Sequence, residues 1–73
     1  MQIEVLVRMA QQIARNNAAL GPDRAAAKIA GHLQSFWTPA MIDELLTFAA
    51  LNPGELDPNV RTALSRLDRS GSG

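Results

Sequence analysis

The chain has no cysteine and few aromatic residues, and both shortages restrict what it can be. Without cysteine a disulfide is excluded. With His32 as the single histidine, a structural zinc site would need several carboxylate ligands, whose spacing the sequence does not show. A chain of 73 residues is one small domain, and below roughly 70–80 residues a single core seldom contributes more than about 3–5 kcal/mol. The sequence therefore predicts a fold that depends on helix packing, on a partner, or on self-association when isolated.

The chain has no excess of positive or of negative charge. Seven Lys and Arg residues balance seven Asp and Glu residues, and the basic ones are spread along the chain. Nucleic-acid binding usually shows a basic surplus on one face, because phosphate neutralisation supplies most of the affinity, so no nucleic-acid partner is expected. Segment 1–12 carries Glu4 and Arg8 within its apolar part, so it is predicted to be neither a signal peptide nor a membrane span. We expect a cytoplasmic protein with no membrane partner.

Apolar residues recur at spacings of three and four along the chain, which predicts helices and no strands. The first helix is predicted over about residues 2–19, since Gly21 can adopt a positive φ and Pro22 cannot continue the hydrogen-bond ladder. Pro22 can also open a second helix, with Asp23 at the positive end of its dipole, that stops at Trp37. The apolar stripe of this second helix is Ala26, Ile29, Leu33 and Phe36.

The third helix is predicted from a proline and the residue before it. Pro39 disfavours helical geometry at Thr38, whose hydroxyl is then free to cap the helix, while Pro39 takes the first helical position. The helix is predicted over about residues 39–50. Asp43 and Glu44 are expected near its N-terminus, where the helix dipole favours negative charge.

The last helix is short and is again predicted to begin with a capping residue followed by proline. Asn52-Pro53-Gly54 is a turn signal, and Asp57 followed by Pro58 precedes a stripe that ends at Leu67. We predict an all-α fold, a small bundle of four short helices, in a single domain over residues 1–69. Residues 70–73, Ser-Gly-Ser-Gly, are predicted to be a flexible tail, and they could equally be an artificial linker.

The first helix carries a wider apolar arc than a one-sided core requires. On a helical wheel its apolar side chains cover roughly 200°, whereas a surface helix needs a stripe nearer to about 100°. The surplus edge carries Val5 and Met9, while Arg8 and Arg15 fall on the polar side and are interpreted as solvated charges. Either this helix is central in a tiny bundle and touches neighbours on two sides, or the surplus edge docks on another protein.

Most of the recognition chemistry lies in segment 32–41, HLQSFWTPAM. His32 precedes Phe36 by four residues, so the two rings can stack along the helix. We interpret His32 as a half-buried packing residue or as a hydrogen-bond donor to a partner. Trp37 is interpreted as the keystone of the junction between helices 2 and 3 or as an interface anchor. Phe36 and Met41 are interpreted as core residues.

No catalytic constellation is visible in the sequence. Nucleophilic and acid–base catalysis need an activated nucleophile beside a base, or titratable groups of shifted pKa in a pocket. His32 has Lys28 as its nearest cationic neighbour, one turn away on the same helix, and no further partner can be assigned. The chain is therefore predicted not to be an enzyme.

Three blocks of sequence resemble a known family. They are Met9-Ala10-Gln11-Gln12-Ile13-Ala14, then His32, Phe36, Trp37, Pro39 and Met41, then Leu56, Pro58 and Val60. In order and spacing over about residues 6–67 they resemble the delta subunit of cytoplasmic NAD-dependent formate dehydrogenase, and the central block is the specific one. The chain has Asn16 and Asn17 where the family usually has aromatic residues. Around the Pro-x-Met step the family tends to carry D-P-R-M-R, and this chain has Thr38, Ala40 and Ile42.

The resemblance implies a non-catalytic accessory subunit that docks on the catalytic (alpha) subunit of formate dehydrogenase and supports assembly or stability. The complex would hold a molybdenum or tungsten bis-pterin, iron–sulfur clusters, FMN and NAD, none of them bound by this chain. Two alternatives stay open: a transient assembly factor for cofactor insertion, and an independent homodimeric helical interaction module. The expected partner interface comprises His32, Phe36, Trp37, Pro39, Met41, Val5 and Met9.

Overall fold

The computed structural model describes residues 2–67 as four α-helices joined by short turns. The helices are α1 (Ile3–Asn16), α2 (Pro22–Phe36), α3 (Pro39–Leu51) and α4 (Pro58–Leu67). Two short 3₁₀ turns, Ala18–Leu20 and Pro53–Glu55, lie between α1 and α2 and between α3 and α4. No residue between 2 and 67 adopts a β-strand, so the predicted all-α bundle of four short helices is confirmed. The predicted tail at 70–73 lies outside the described residues.

The first helix ends earlier than the apolar pattern predicted, at Asn16. Asn17 ends it: the side-chain amide donates to the carbonyl oxygen of Ile13 at 2.8 Å, and the backbone N–H bonds to the carbonyl of Ala14. A side-chain bond to a nearby carbonyl of this kind competes with continuation of the helix. Gly21 then adopts a φ of +87°, as its predicted role in closing the segment requires.

The start of α3 follows the sequence prediction. The hydroxyl oxygen of Thr38 accepts a hydrogen bond from the backbone N–H of Met41 at 3.2 Å, and Pro39 occupies the first helical position. Asp43 and Glu44 lie beyond the first turn of the helix. The expectation that they complement the helix dipole is wrong, because the effect of the dipole falls off within that first turn.

The core draws on all four helices, with α2 against α4 as the most extensive pair. Its largest fully buried side chains are Leu6, Ile29, Leu33, Leu45, Val60 and Leu64. Between them lie buried alanines, including Ala26, Ala30 and Ala63, whose small side chains allow helices to approach closely. The absence of a large aromatic cluster is therefore compensated by close helix packing.

Contacts of α1 with the three other helices account for most of its wide apolar arc. Leu6 and Ala10 are fully buried, and Met9 is half-buried against the core. Val5 is 36% exposed. The interpretation of α1 as a central helix that touches neighbours on two sides therefore explains the arc, except at the edge that carries Val5.

A polar side chain on α1 holds the turn that precedes α4. The side-chain oxygen of Gln11 accepts a hydrogen bond from the backbone N–H of Asp57 at 2.8 Å, across 46 residues of chain. Its side-chain nitrogen donates to the carbonyl of Glu55 at 3.5 Å. The carboxylate of Asp57 in turn accepts from the N–H of Asn59 at 2.8 Å, which caps α4 as the Asp-Pro pair predicted. These bonds set the position of α4 relative to α1.

Candidate partner-binding site

Segment 32–41 divides between core and surface at two adjacent aromatic residues. Trp37 is 6% exposed and packs in the core, whereas Phe36 is 74% exposed. Phe36 is the last residue of α2, whereas Trp37 follows the helix with extended backbone geometry (φ −100°, ψ 144°), so the two side chains leave the chain in different directions. The interpretation of Phe36 as a core residue is wrong. Trp37 lies between α2 and α3 and is buried, which agrees with its interpretation as the keystone of this junction.

His32 and Phe36 form a pair of stacked rings on the outer side of α2. Their ring centroids are 4.7 Å apart and the ring planes are inclined at 43°, within the range in which aromatic rings attract each other. The stacking predicted from their four-residue spacing is confirmed. His32 is exposed rather than half-buried, so this pair presents an aromatic surface to the outside.

A groove of about 340 Å³ runs between α1 and α2 beside this aromatic pair. Its lining residues are Arg8, Met9, Gln12, Ile13 and His32. Met9 and Ile13 are half-buried against the core and provide an apolar floor. Arg8 and Gln12 are exposed and provide a polar rim, so Arg8 is exposed to solvent, in agreement with its interpretation from the sequence, and it lies at the edge of this groove.

The groove joins two candidate surfaces that are far apart in the sequence. Met9 from α1 and His32 from α2 line the same groove, and Phe36 stacks on His32. Val5 lies one helical turn before Met9 and is partly exposed. We call this the α1–α2 surface, and it comprises Val5, Arg8, Met9, Gln12, Ile13, His32 and Phe36.

The other three predicted interface residues do not belong to this surface. Trp37 is buried, which leaves it little area for a partner, and Met41 is half-buried against the core. Pro39 is exposed and serves as the first residue of α3. Sequence reasoning missed Gln12 and Ile13, although both follow Met9 at the helical spacing of three and four that places residues on one face.

The side chains of the α1–α2 surface are suited to binding another polypeptide. An exposed aromatic pair beside an apolar groove suits an apolar side chain of another polypeptide, with Arg8 available to donate hydrogen bonds. The side-chain amide of Gln12 donates to the side-chain oxygen of Asn16 at 3.3 Å. Within residues 2–67 no three His, Asp or Glu side chains are grouped so that they could hold a metal ion. Over the same residues no helix combines the length and apolar character needed to cross a membrane.

These features define a small all-α protein whose candidate site is an exposed apolar surface. The family model described as NADH-dependent formate dehydrogenase delta subunit FdsD matches residues 5–64. The chain belongs to this family, as the resemblance of its three sequence blocks indicated, and is thus an accessory subunit associated with a formate dehydrogenase complex. Comparison with curated proteins and with solved structures finds no match.

Proposed function

We propose that this chain docks on the catalytic (alpha) subunit of formate dehydrogenase through the α1–α2 surface and supports the assembly or stability of the complex. Membership of the delta-subunit family supports the association with such a complex. The observation that carries the docking proposal is Phe36, a large aromatic side chain that is 74% exposed. In this proposal the subunit is a permanent, non-catalytic member of a cytoplasmic enzyme.

The energetics of Phe36 favour contact with a partner. Complete burial of a phenylalanine side chain is favourable by about 1.5–3 kcal/mol. The fold of this chain gains little of that free energy, because Phe36 is largely exposed. Aromatic residues are enriched at the centres of protein interfaces, where a polar rim surrounds them. Phe36 contacts His32, and His32 lines a groove whose floor includes Met9 and whose rim includes Arg8, an arrangement that agrees with this anatomy.

The redox groups of the enzyme, in this proposal, are held by other subunits. They are a molybdenum or tungsten bis-pterin, iron–sulfur clusters, FMN and NAD. The composition of the chain supports their location elsewhere, because iron–sulfur clusters are usually held by cysteine thiolates and the chain contains no cysteine. The contribution of this chain would then be structural.

Co-purification tests the proposal. A tagged form of the chain, produced in cells together with the formate dehydrogenase subunits, should retain the catalytic subunit in a fixed ratio in the mature enzyme. Retention of the cofactor-free enzyme alone would instead indicate a transient assembly factor. A homodimer without any large partner would indicate an independent module and would overturn the proposal.

Matched variants test the surface itself. The double variant Phe36→Ala, His32→Ala should lower the affinity for the catalytic subunit by about 30-fold or more, since truncation of a central interface aromatic often costs about 2 kcal/mol or more. The control is Leu20→Ala, which truncates another exposed apolar side chain, 41% exposed, outside this surface. Circular dichroism should show full helix in both. Unchanged retention of the catalytic subunit by the double variant would remove the α1–α2 surface from the interface.

A further inference from the structure

A second groove, between α1 and α3, is an open depression of about 520 Å³ and differs in charge from the first. We call it the α1–α3 groove, and it is lined by Ile3, Asp43, Glu44, Thr47, Phe48, Leu51 and Asn52. Ile3 and Val5 lie about 160° apart around α1, so the two grooves occupy different sides of this helix. The family match and the docking proposal above leave this second groove without a role.

The floor of the α1–α3 groove is apolar and partly open. Leu51 is 75% exposed, and Ile3 and Phe48 are half-buried against the core. The α3 residues from Asp43 to Leu51 that line the groove cover two helical turns, a length of about 12 Å. An occupant that matches this length is a stretch of helix of similar extent, as in other complexes where a helix lies in an apolar groove.

The polar groups of the groove favour an occupant of positive charge. The hydroxyl of Thr47 donates to the carbonyl of Asp43 at 3.0 Å, and the side-chain amide of Asn52 donates to the carbonyl of Phe48 at 3.2 Å. The hydroxyl proton of Thr47 and one of the two amide N–H groups of Asn52 are thus used by carbonyls of α3. The carboxylates of Asp43 and Glu44 are exposed and form no ion pair within residues 2–67. Two exposed carboxylates beside an apolar floor favour a ligand that carries positively charged hydrogen-bond donors.

We infer that the α1–α3 groove binds a basic amphipathic helical segment of a partner polypeptide. Apolar side chains of this segment would cover Ile3, Phe48 and Leu51. A lysine or arginine at one end would face the carboxylates of Asp43 and Glu44. Together with docking through the α1–α2 surface, this would allow the chain to connect two polypeptide segments on two sides of α1.

A second copy of the chain is the rival occupant. Leu20 lines a separate surface with Arg24 and Lys28, and this surface also combines an apolar side chain with two cations. Contact between that surface and the α1–α3 groove would be head-to-tail, and such contacts extend into open assemblies unless the rotation closes a ring. The apolar side chains of that surface, Leu20 and Ala27, would also leave most of the apolar floor uncovered. The geometry therefore favours a separate polypeptide.

Fluorescence anisotropy on the full chain tests the inference without any enzyme subunit. The probe is a labelled synthetic helix of about 14 residues, with leucine on one face and lysine on the other, and its control has glutamate in place of lysine. The lysine peptide should bind and the glutamate peptide should not. The double variant Asp43→Asn, Glu44→Gln should raise the Kd for the lysine peptide by about tenfold, and added salt should reduce the difference.

The control variant is Asp23→Asn, Glu55→Gln, which changes the net charge equally at acidic side chains outside the groove. It should leave the Kd of the lysine peptide within about twofold of the original. Equal weakening by both double variants, equal binding of both peptides, or no binding to the helical chain would overturn the inference. Self-association in sedimentation experiments that disappears in Arg24→Gln, Lys28→Gln would assign the groove to a second copy, which also overturns it.

The co-purified complex provides a second readout. If a basic segment of another subunit occupies the groove, the Asp43→Asn, Glu44→Gln chain should leave the complex at a lower salt concentration than the Asp23→Asn, Glu55→Gln chain. Release of both at the same concentration would contradict the inference while leaving docking through the α1–α2 surface intact. Failure of the unaltered chain to retain any subunit would contradict the proposed function alone, because the peptide assay does not depend on it.

Discussion

The adjacent aromatic residues at the end of α2 allow a sharp test of the fold. Trp37 is 6% exposed and packs in the core, whereas Phe36 is 74% exposed. We predict that Trp37→Ala strongly destabilises the chain and that Phe36→Ala leaves its stability nearly unchanged. The two positions are neighbours in the chain, so the comparison isolates the effect of burial.

The size of the effect follows from the buried area. An aromatic side chain of this kind buries about 150–250 Å², which at about 25 cal/mol per Å² corresponds to about 4–6 kcal/mol. Truncation of a buried tryptophan to alanine costs about 3–5 kcal/mol. At about 0.05–0.15 kcal/mol per residue, a chain of 73 residues has a free energy of unfolding of about 4–11 kcal/mol. Trp37→Ala therefore removes a large share of the total, whereas Phe36→Ala should change it by less than about 0.5 kcal/mol.

Urea unfolding followed by far-ultraviolet circular dichroism is the suitable assay, because removal of the single tryptophan abolishes its fluorescence. Trp37→Phe serves as a control that keeps an aromatic ring in the core and should be less destabilising than Trp37→Ala. A Trp37→Ala chain whose free energy of unfolding lies within about 1 kcal/mol of the original would refute the reasoning. Equal losses at Trp37 and Phe36 would also refute it.

Three further predictions concern the turns and the whole chain. Thr38→Val should cost about 0.5–2 kcal/mol in urea unfolding because it removes the cap of α3, whereas Pro39→Ala should be mild; two equal, negligible losses would contradict the cap. Gly21→Ala should cost roughly 1–3 kcal/mol, since φ is +87° and ψ is 163° there, while helical Gly31→Ala should stabilise by about 0.5–1 kcal/mol. If both substitutions stabilised the chain, the backbone conformation at Gly21 would not require glycine. The isolated chain should be marginal or self-associated, and a monomer that melts above about 90 °C would contradict this.

Local signals in the sequence were sufficient for most of the secondary structure. Pro22, Pro39 and Pro58 mark the first residues of three helices, because proline lacks an N–H that the first turn does not need. The cap by Thr38 and the stacking of His32 on Phe36 also follow from spacing along one segment, and both are present. The end of α1 was predicted less well, because the side-chain bond of Asn17 to Ile13 competes with an otherwise continuous apolar pattern.

The sequence by itself therefore determined the number of helices, their starts and the family, since each depends on residues close together in the chain or on blocks in a fixed order. Only the tertiary structure decided that Trp37 faces the core while Phe36 does not, because both lie near the apolar side of α2 and the choice depends on which helices cover it. The same holds for the pairing of Met9 with His32 in one groove. Pairings of this kind depend on how helices distant in the chain approach each other, and hydrophobic periodicity within one helix carries no information about its neighbour.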